Sequence, residues 1–235
     1  MEAKELKERL ALVCRLLYME GLMDHAGLVS ARLGPDRLLL NPRTMRGTKG
    51  RHPGLMTPDD LVVTDLLGRK VEGENDPPSE TPIFTGVYRA RPDVGACYHL
   101  HLPYATLFSM GRRRLVTVYN LGAIFGQAVP VHPDANLIQT DPQGRAVART
   151  LGKGRAVLLR SHGAVLAEAD IESAFVATVF FEENARRLYQ ALQLGPVQAL
   201  SAAECRRIAE RTWHPKVVAK VWDFYLLKAR EEGRV

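Results

Sequence analysis

The run Val94-Gly-Ala-Cys-Tyr-His99-Leu-His101-Leu-Pro103 constrains this chain more than any other stretch. It is apolar and strand-like, so it has to pack against a core, yet it carries two histidines one residue apart. Side chains alternate faces along a strand, and positions two apart project to the same side at a spacing of ~6.6 Å. The pair therefore either converges on one metal ion or sits on the solvated face of a sheet. Seven histidines in 235 residues give about 0.2 such pairs by composition alone, so a third ligand has to decide. Cys97 shares the histidines' parity, and its expected role is that of a small buried core residue.

His162 is the candidate third ligand. It follows the apolar run Ala156-Val-Leu-Leu159 and precedes Gly163-Ala-Val-Leu166, the setting of a histidine at a strand-to-strand junction. The same setting also suits a hydrogen-bonded structural histidine. His25, His52 and His132 fall in turn-like stretches, and His214 precedes Pro215 where a helix begins. Upstream, Ser79-Glu80 opens a segment in which Ile83, Phe84, Val87 and Tyr88 keep helical spacing. Glu80 there is either a first-turn carboxylate favoured by the helix dipole or, beside three histidines, a ligand or proton shuttle.

Five segments in order, Gly27-Leu-Val-Ser-Ala-Arg32, Pro78-Ser-Glu80, Tyr88-Arg-Ala-Arg-Pro-Asp-Val94, His99-Leu-His101 and Ser161-His-Gly163, resemble the class II aldolase/adducin family over about residues 5 to 195. The resemblance implies an α/β fold: a single three-layer domain with a central, mainly antiparallel sheet flanked by helices. It implies a homotetramer with active sites between subunits, a site metal on His99, His101 and His162, a catalytic Glu80, and a tyrosine acid at Tyr119 reaching across from a neighbouring subunit. On spacing alone, Tyr119 suits packing equally well.

Departures from the sugar-phosphate aldolases of the family bear on substrate. Leu28 stands where they carry Asn, Arg43-Thr44 replaces a small-residue pair of their phosphate loop, Pro78 replaces a serine, and Phe84 replaces a histidine. Leu28 and Phe84 suggest an apolar wall, and Leu28, Ser30, Arg43 and Ser79 are the expected substrate-binding residues. The loop from Asn41 to Gly54 carries Arg43, Arg46, Lys49 and Arg51, suited to a carboxylate or a phosphate. The pattern resembles most the family's decarboxylases of hydroxylated aromatic or ring-fission acids. Whether the reaction is decarboxylation or aldol cleavage, a carbon–carbon bond breaks and the electron pair is held as an enolate or enediolate beside a Lewis acid. Zinc is the expected metal, with manganese, cobalt or iron as alternatives. A sugar-phosphate aldolase or epimerase, or a non-catalytic adducin-like interaction module, is the alternative reading.

Composition fits one globular domain over 1–235, a core of about 5–195 and a helical extension of 196–235 expected to pack on its own domain. The net charge of +6 comes from scattered Lys and Arg, densest at Gly111-Arg-Arg-Arg114. No aromatic interleaving accompanies that cluster, so an anionic small-molecule substrate is expected and nucleic acid is not. Cys14, Cys97 and Cys205 are odd in number and far apart, against a disulfide framework. No apolar run is long enough for a membrane span and the first residues lack a signal pattern, so the expected location is the cytoplasm, with no membrane partner. Helices are expected over 4–20, after Glu80, from Asp141 to Leu151 with Asp141 as cap, and from Asp170 to Leu194. Strands are expected over 29–41 and 61–71.

Overall fold

In the computed structural model, which describes residues 2–234, the two-residue alternation of the strands sorts apolar side chains onto two faces of one sheet. The strands are β1 (Leu28–Leu33), β2 (Arg37–Leu40), β3 (Val62–Asp65), β4 (Lys70–Glu72), β5 (Ala96–Leu100), β6 (Val131–His132), β7 (Ala156–Leu159) and β8 (Gly163–Glu168). They run in the order β4-β3-β2-β1-β5-β8-β7-β6, and every pairing is antiparallel except β6 with β7.

Val29, Ala31, Leu39, Tyr98, Leu100 and Leu166 face one way, toward helices α1 (Ala3–Met19) and α5 (Ile171–Leu194). Their neighbours Leu28, Leu38, Leu40, Cys97, Val157 and Val165 face the other, toward α2 (Thr81–Ala90) and α4 (Asp141–Leu151). The result is the expected three-layer α/β arrangement around a mainly antiparallel sheet. A short helix, α3 (Leu107–Met110), follows β5, and α6 (Ala202–Thr212) and α7 (Pro215–Glu231) come after α5. Phe175 of α5 stacks edge-on against Trp222 and Tyr225 of α7, so the tail packs on the helical layer formed by α5.

Two helix starts differ instructively. Asp170 caps α5 as expected, accepting the Ser173 N–H at 2.7 Å. The cap of α4 is Thr140, in a reciprocal box with Gln143, while Asp141 sits one residue inside and pairs with Arg89 and Arg145. His132 lies on the edge strand β6 instead of in a turn, its Nδ1 3.0 Å from the Thr150 hydroxyl.

Helices α2 and α4 meet backbone to backbone because glycines face each other where they touch. A Cβ on Gly86 would come within 2.4 Å of the Gly144 carbonyl, and one on Gly144 within 1.9 Å of the Pro82 oxygen. That close approach fixes the start of α2, and with it Glu80, over one end of β5.

Candidate metal centre

β5 is a central strand, flanked by β1 and β8, and its C-terminal end carries the histidine pair. His99 is the last side chain but one in the strand, opposite Leu28 on β1 and Val165 on β8. Both neighbours are apolar and His99 is fully buried. His101 follows as the chain leaves the sheet. His162 sits in the three-residue turn joining β7 to β8, after Ser161, whose φ of 56° is left-handed, a conformation that tightens the hairpin.

The three rings converge, with centroid separations of 4.8 to 5.3 Å, and one nitrogen from each lies within 4.8 Å of the others. Gly163 makes the convergence possible. A Cβ there would lie 2.6 Å from the Leu100 carbonyl oxygen, 2.9 Å from His101 and 3.2 Å from His99.

The hydrogen bonds orient the rings for ligation. His99 Nδ1 is 3.1 Å from the Ala164 carbonyl, which can only accept, so Nδ1 carries the proton and Nε2 keeps its lone pair. His101 Nδ1 is 3.0 Å from Asp24 Oδ2, a carboxylate acceptor that likewise places a proton on Nδ1 and turns Nε2 inward. Nε2 of all three histidines is buried without a hydrogen-bond partner. Burial lowers the His99 pKa to about 3, which holds the ring neutral, the form that binds metal. Three imidazoles whose inward nitrogens have no hydrogen-bond partner fit a divalent ion, and such a set leaves coordination positions for substrate. The buried nitrogens, otherwise unsatisfied, are the observation that a resident cation would explain.

Glu80 stands beside this cluster. Its Oε2 is 3.6 Å from His162 Nε2 and 3.8 Å from His99 Nε2, while Oε1 accepts the Ile138 N–H at 2.9 Å. Glu80 precedes α2 without capping it, since its side chain turns back toward the histidines. Burial works to raise its pKa, but His162, His99 and the Ile138 N–H together hold it below the usual range. The carboxyl is therefore ionised and one oxygen is free to take a proton.

The expected substrate-binding residues separate. Arg43 and Ser79 are exposed, and the Arg43 N–H donates to the Asp76 carbonyl at 2.8 Å, tying the basic loop to the segment that leads into Glu80. Leu28 packs directly across from His99. Ser30 requires correction: it is fully buried, donates to the Cys97 carbonyl at 2.8 Å and shares a 3.1 Å hydrogen bond with the Tyr88 hydroxyl, so it braces the sheet against α2. Phe84 is corrected likewise, because it is fully buried in the core under α2 and cannot wall a binding site. Tyr119 is not among the groups around the histidines. Its ring lies 4.0 Å beneath the Arg187 guanidinium and its backbone N–H is held by Asn184.

Two acidic residues outside the sequence motifs support the centre. Asp24 holds His101, and Glu182 on α5 accepts the N–H groups of Tyr104 at 2.6 Å and Ala105 at 2.9 Å, bracing the turn just after His101. Cys14, Cys97 and Cys205 are buried free thiols, and Cys97 is a core residue. Arg112, Arg113 and Arg114 lie on an exposed turn. Among the described residues no helix is long and apolar enough to cross a membrane.

The family profile described as "Class II Aldolase and Adducin N-terminal domain" matches residues 8–189, which takes in all three histidines and Glu80. The chain belongs to the class II aldolase and adducin family. It is 30% identical over 184 residues to a 3,4-dihydroxyphthalate decarboxylase from Arthrobacter keyseri, covering 74% of this chain and 73% of that protein. A 5-deoxy-D-ribulose 1-phosphate aldolase from Bacillus thuringiensis serovar kurstaki is 33% identical over 155 residues, 66% of this chain and 72% of that one. Methylthioribulose-1-phosphate dehydratases are also among the matched relatives. A solved L-fuculose 1-phosphate aldolase superposes with a TM-score of 0.80 at 25% identity, covering 91% of this chain and 99% of that chain.

Proposed function

We propose that this protein is a divalent-metal-dependent carbon–carbon lyase whose substrate is a non-phosphorylated hydroxy acid or hydroxylated aromatic acid, cleaved by decarboxylation. The observation that carries the reading is the set of three unpartnered Nε2 atoms with a Glu80 oxygen 3.6 and 3.8 Å from two of them. His99, His101 and His162 would hold the ion, zinc being the natural choice for three imidazoles. When bound, a divalent ion supplies Lewis-acid withdrawal of electron density from substrate oxygens.

The chain's own residues supply the rest. Glu80, anchored at Oε1 by Ile138 with Oε2 turned to the histidines, would take a proton from a substrate hydroxyl and return it to the carbon that carbon dioxide leaves. Leu28, itself buried, keeps the strand beside His99 apolar, which suits a ring better than a polyhydroxylated chain. Arg43 and Ser79, exposed and near in sequence to Asn41 and Glu80, are assigned to the substrate's anionic and polar groups. Loss of carbon dioxide needs no acid at the leaving group, whereas aldol cleavage would call on Tyr119 from a second copy, as in a tetramer. The similarity to dihydroxyphthalate decarboxylases supports the first reaction, and that to sugar-phosphate aldolases supports the second.

Metal analysis of wild type and His101→Ala, with parallel screens for carbon dioxide from hydroxylated aromatic acids and for aldehyde from aldols, tests the reading. Metal near one per chain in wild type only, with carbon dioxide released, upholds it. Aldehyde release reassigns the reaction to aldol cleavage, and absence of metal in both proteins overturns the centre.

A further inference from the structure

Each metal-facing nitrogen needs its lone pair free, and that depends on what the ring's other nitrogen meets. His99 meets a backbone carbonyl and His162 Nδ1 meets nothing, so among the three only His101 has its proton placed by a side chain. That side chain is Asp24. Its two oxygens divide the work: Oδ2 faces His101 Nδ1 at 3.0 Å, and Oδ1 accepts the N–H groups of Ala26 at 2.9 Å and Gly27 at 2.8 Å. Ala26 and Gly27 lead directly into β1, whose Leu28 lies opposite His99. Gly27 has little room for a side chain, since a Cβ there would be 2.7 Å from the Met23 side chain and 3.2 Å from that of Leu100.

We propose that Asp24 is a positioning residue that sets the affinity of the three-histidine centre by placing the proton of His101 on Nδ1, while clamping the start of β1 beside His99. The inference rests on the metal reading of the histidines. Asp24 thus has two roles, which a single alanine variant would remove together. An ionised carboxylate offers only acceptors, so it can stabilise only the Nδ1–H form of the ring. An asparagine keeps one acceptor oxygen, which stays with the two converging N–H groups of Ala26 and Gly27. Its amide NH2 then faces His101 Nδ1, which must become an acceptor, and the ring proton moves to Nε2, where it blocks ligation. Alanine loses the clamp but leaves the ring free to choose its tautomer.

Zinc titration of metal-free wild type, Asp24→Asn and Asp24→Ala, each against a competing chelator, reads the affinity, and thermal melting of the metal-free proteins reads the clamp. The expected result is an inverted order. Asp24→Ala loses affinity about 10-fold and Asp24→Asn about 100-fold, the span seen when partners of ligating histidines are removed. The metal-free Asp24→Asn protein melts like wild type, and Asp24→Ala melts lower. Imidazole 15N shifts in the metal-free proteins should place the His101 proton on Nδ1 in wild type and on Nε2 in Asp24→Asn. Affinity of Asp24→Asn within twofold of wild type, or Asp24→Ala weaker than Asp24→Asn, overturns the proposal while the metal reading stands. A wild type that takes up no zinc overturns both.

Discussion

Gly163→Ala replaces one hydrogen by a methyl at the most crowded point of the centre. The new Cβ would sit 2.6 Å from the Leu100 carbonyl oxygen where ordinary contact begins near 3.4 Å, so something has to yield by about 0.8 Å. Gly163 cannot retreat, because it is paired with Leu159 of β7 on one side and its neighbour Ala164 is paired with Leu100 of β5 on the other. The carbonyl can yield only by parting β8 from β5, and the rings of His101 and His99, at 2.9 and 3.2 Å, must give by a few tenths of an ångström as well. Overpacking a well-filled interior costs ~1–3 kcal/mol, against which alanine's smaller unfolded-state entropy returns about 0.4–1 kcal/mol. Binding constellations tolerate errors of only about 0.5 Å, so displacing two of three ligands should weaken metal binding at least ~10-fold, worth about 1.4 kcal/mol. The assay is zinc titration against a chelator, with denaturant unfolding of the metal-free protein, beside Gly50→Ala, whose Cβ would meet nothing within 4 Å. If Gly163→Ala matched Gly50→Ala in both measurements, the crowding argument would be refuted.

Glu80→Gln should keep its metal and its stability, because the Ile138 N–H retains an acceptor, yet turn over ~10²–10⁴-fold more slowly; unchanged turnover would remove Glu80 from proton transfer. Ser30→Ala should leave KM unchanged and cost ~1–3 kcal/mol by stranding the Tyr88 hydroxyl, so a raised KM at unchanged stability would restore Ser30 to the binding site. Burial raises the Glu182 carboxyl to about 7 from 4.5, so between those values the unfolded chain gives up a proton that the folded chain keeps. Stability should therefore fall as pH rises through that window, by up to ~3 kcal/mol from this group. Glu168, also raised to about 7 by burial, adds in the same direction, so denaturation of Glu182→Gln at several pH values should show a shallower but not flat slope; a slope parallel to wild type contradicts the assignment.

Much of this architecture is legible because its signals are local. The apolar run through Val94–Leu102 announces a strand, Asp170 announces a helix start, and the glycine after His162 announces a hairpin. The partners of the histidines are another matter. Asp24 lies 77 residues from His101 and Glu182 lies 77 and 78 from the N–H groups it holds, so no periodicity links them. Ser30 and Phe84 mislead for a common reason: each stands in a motif near a metal-site residue, but strand pairing and helix phase turn both into the layer between sheet and α2. Tyr119 has no local signal at all. Its expected role comes from family resemblance, and its own chain gives it Arg187 instead of the histidines.

The hairpin that carries His162 joins the C-terminal half of the sheet, and β5 comes from the middle of the chain. An ion held by His99, His101 and His162 would therefore be a cross-link as well as a reagent, closing a loop of about sixty residues that contains α3, β6, α4 and β7. Since an unfolded chain cannot bring those imidazoles together, metal at a thousand times its dissociation constant would add about 4 kcal/mol to the stability of the fold. A chelator would then act on this protein twice, removing the chemistry and loosening the two halves of the sheet from each other.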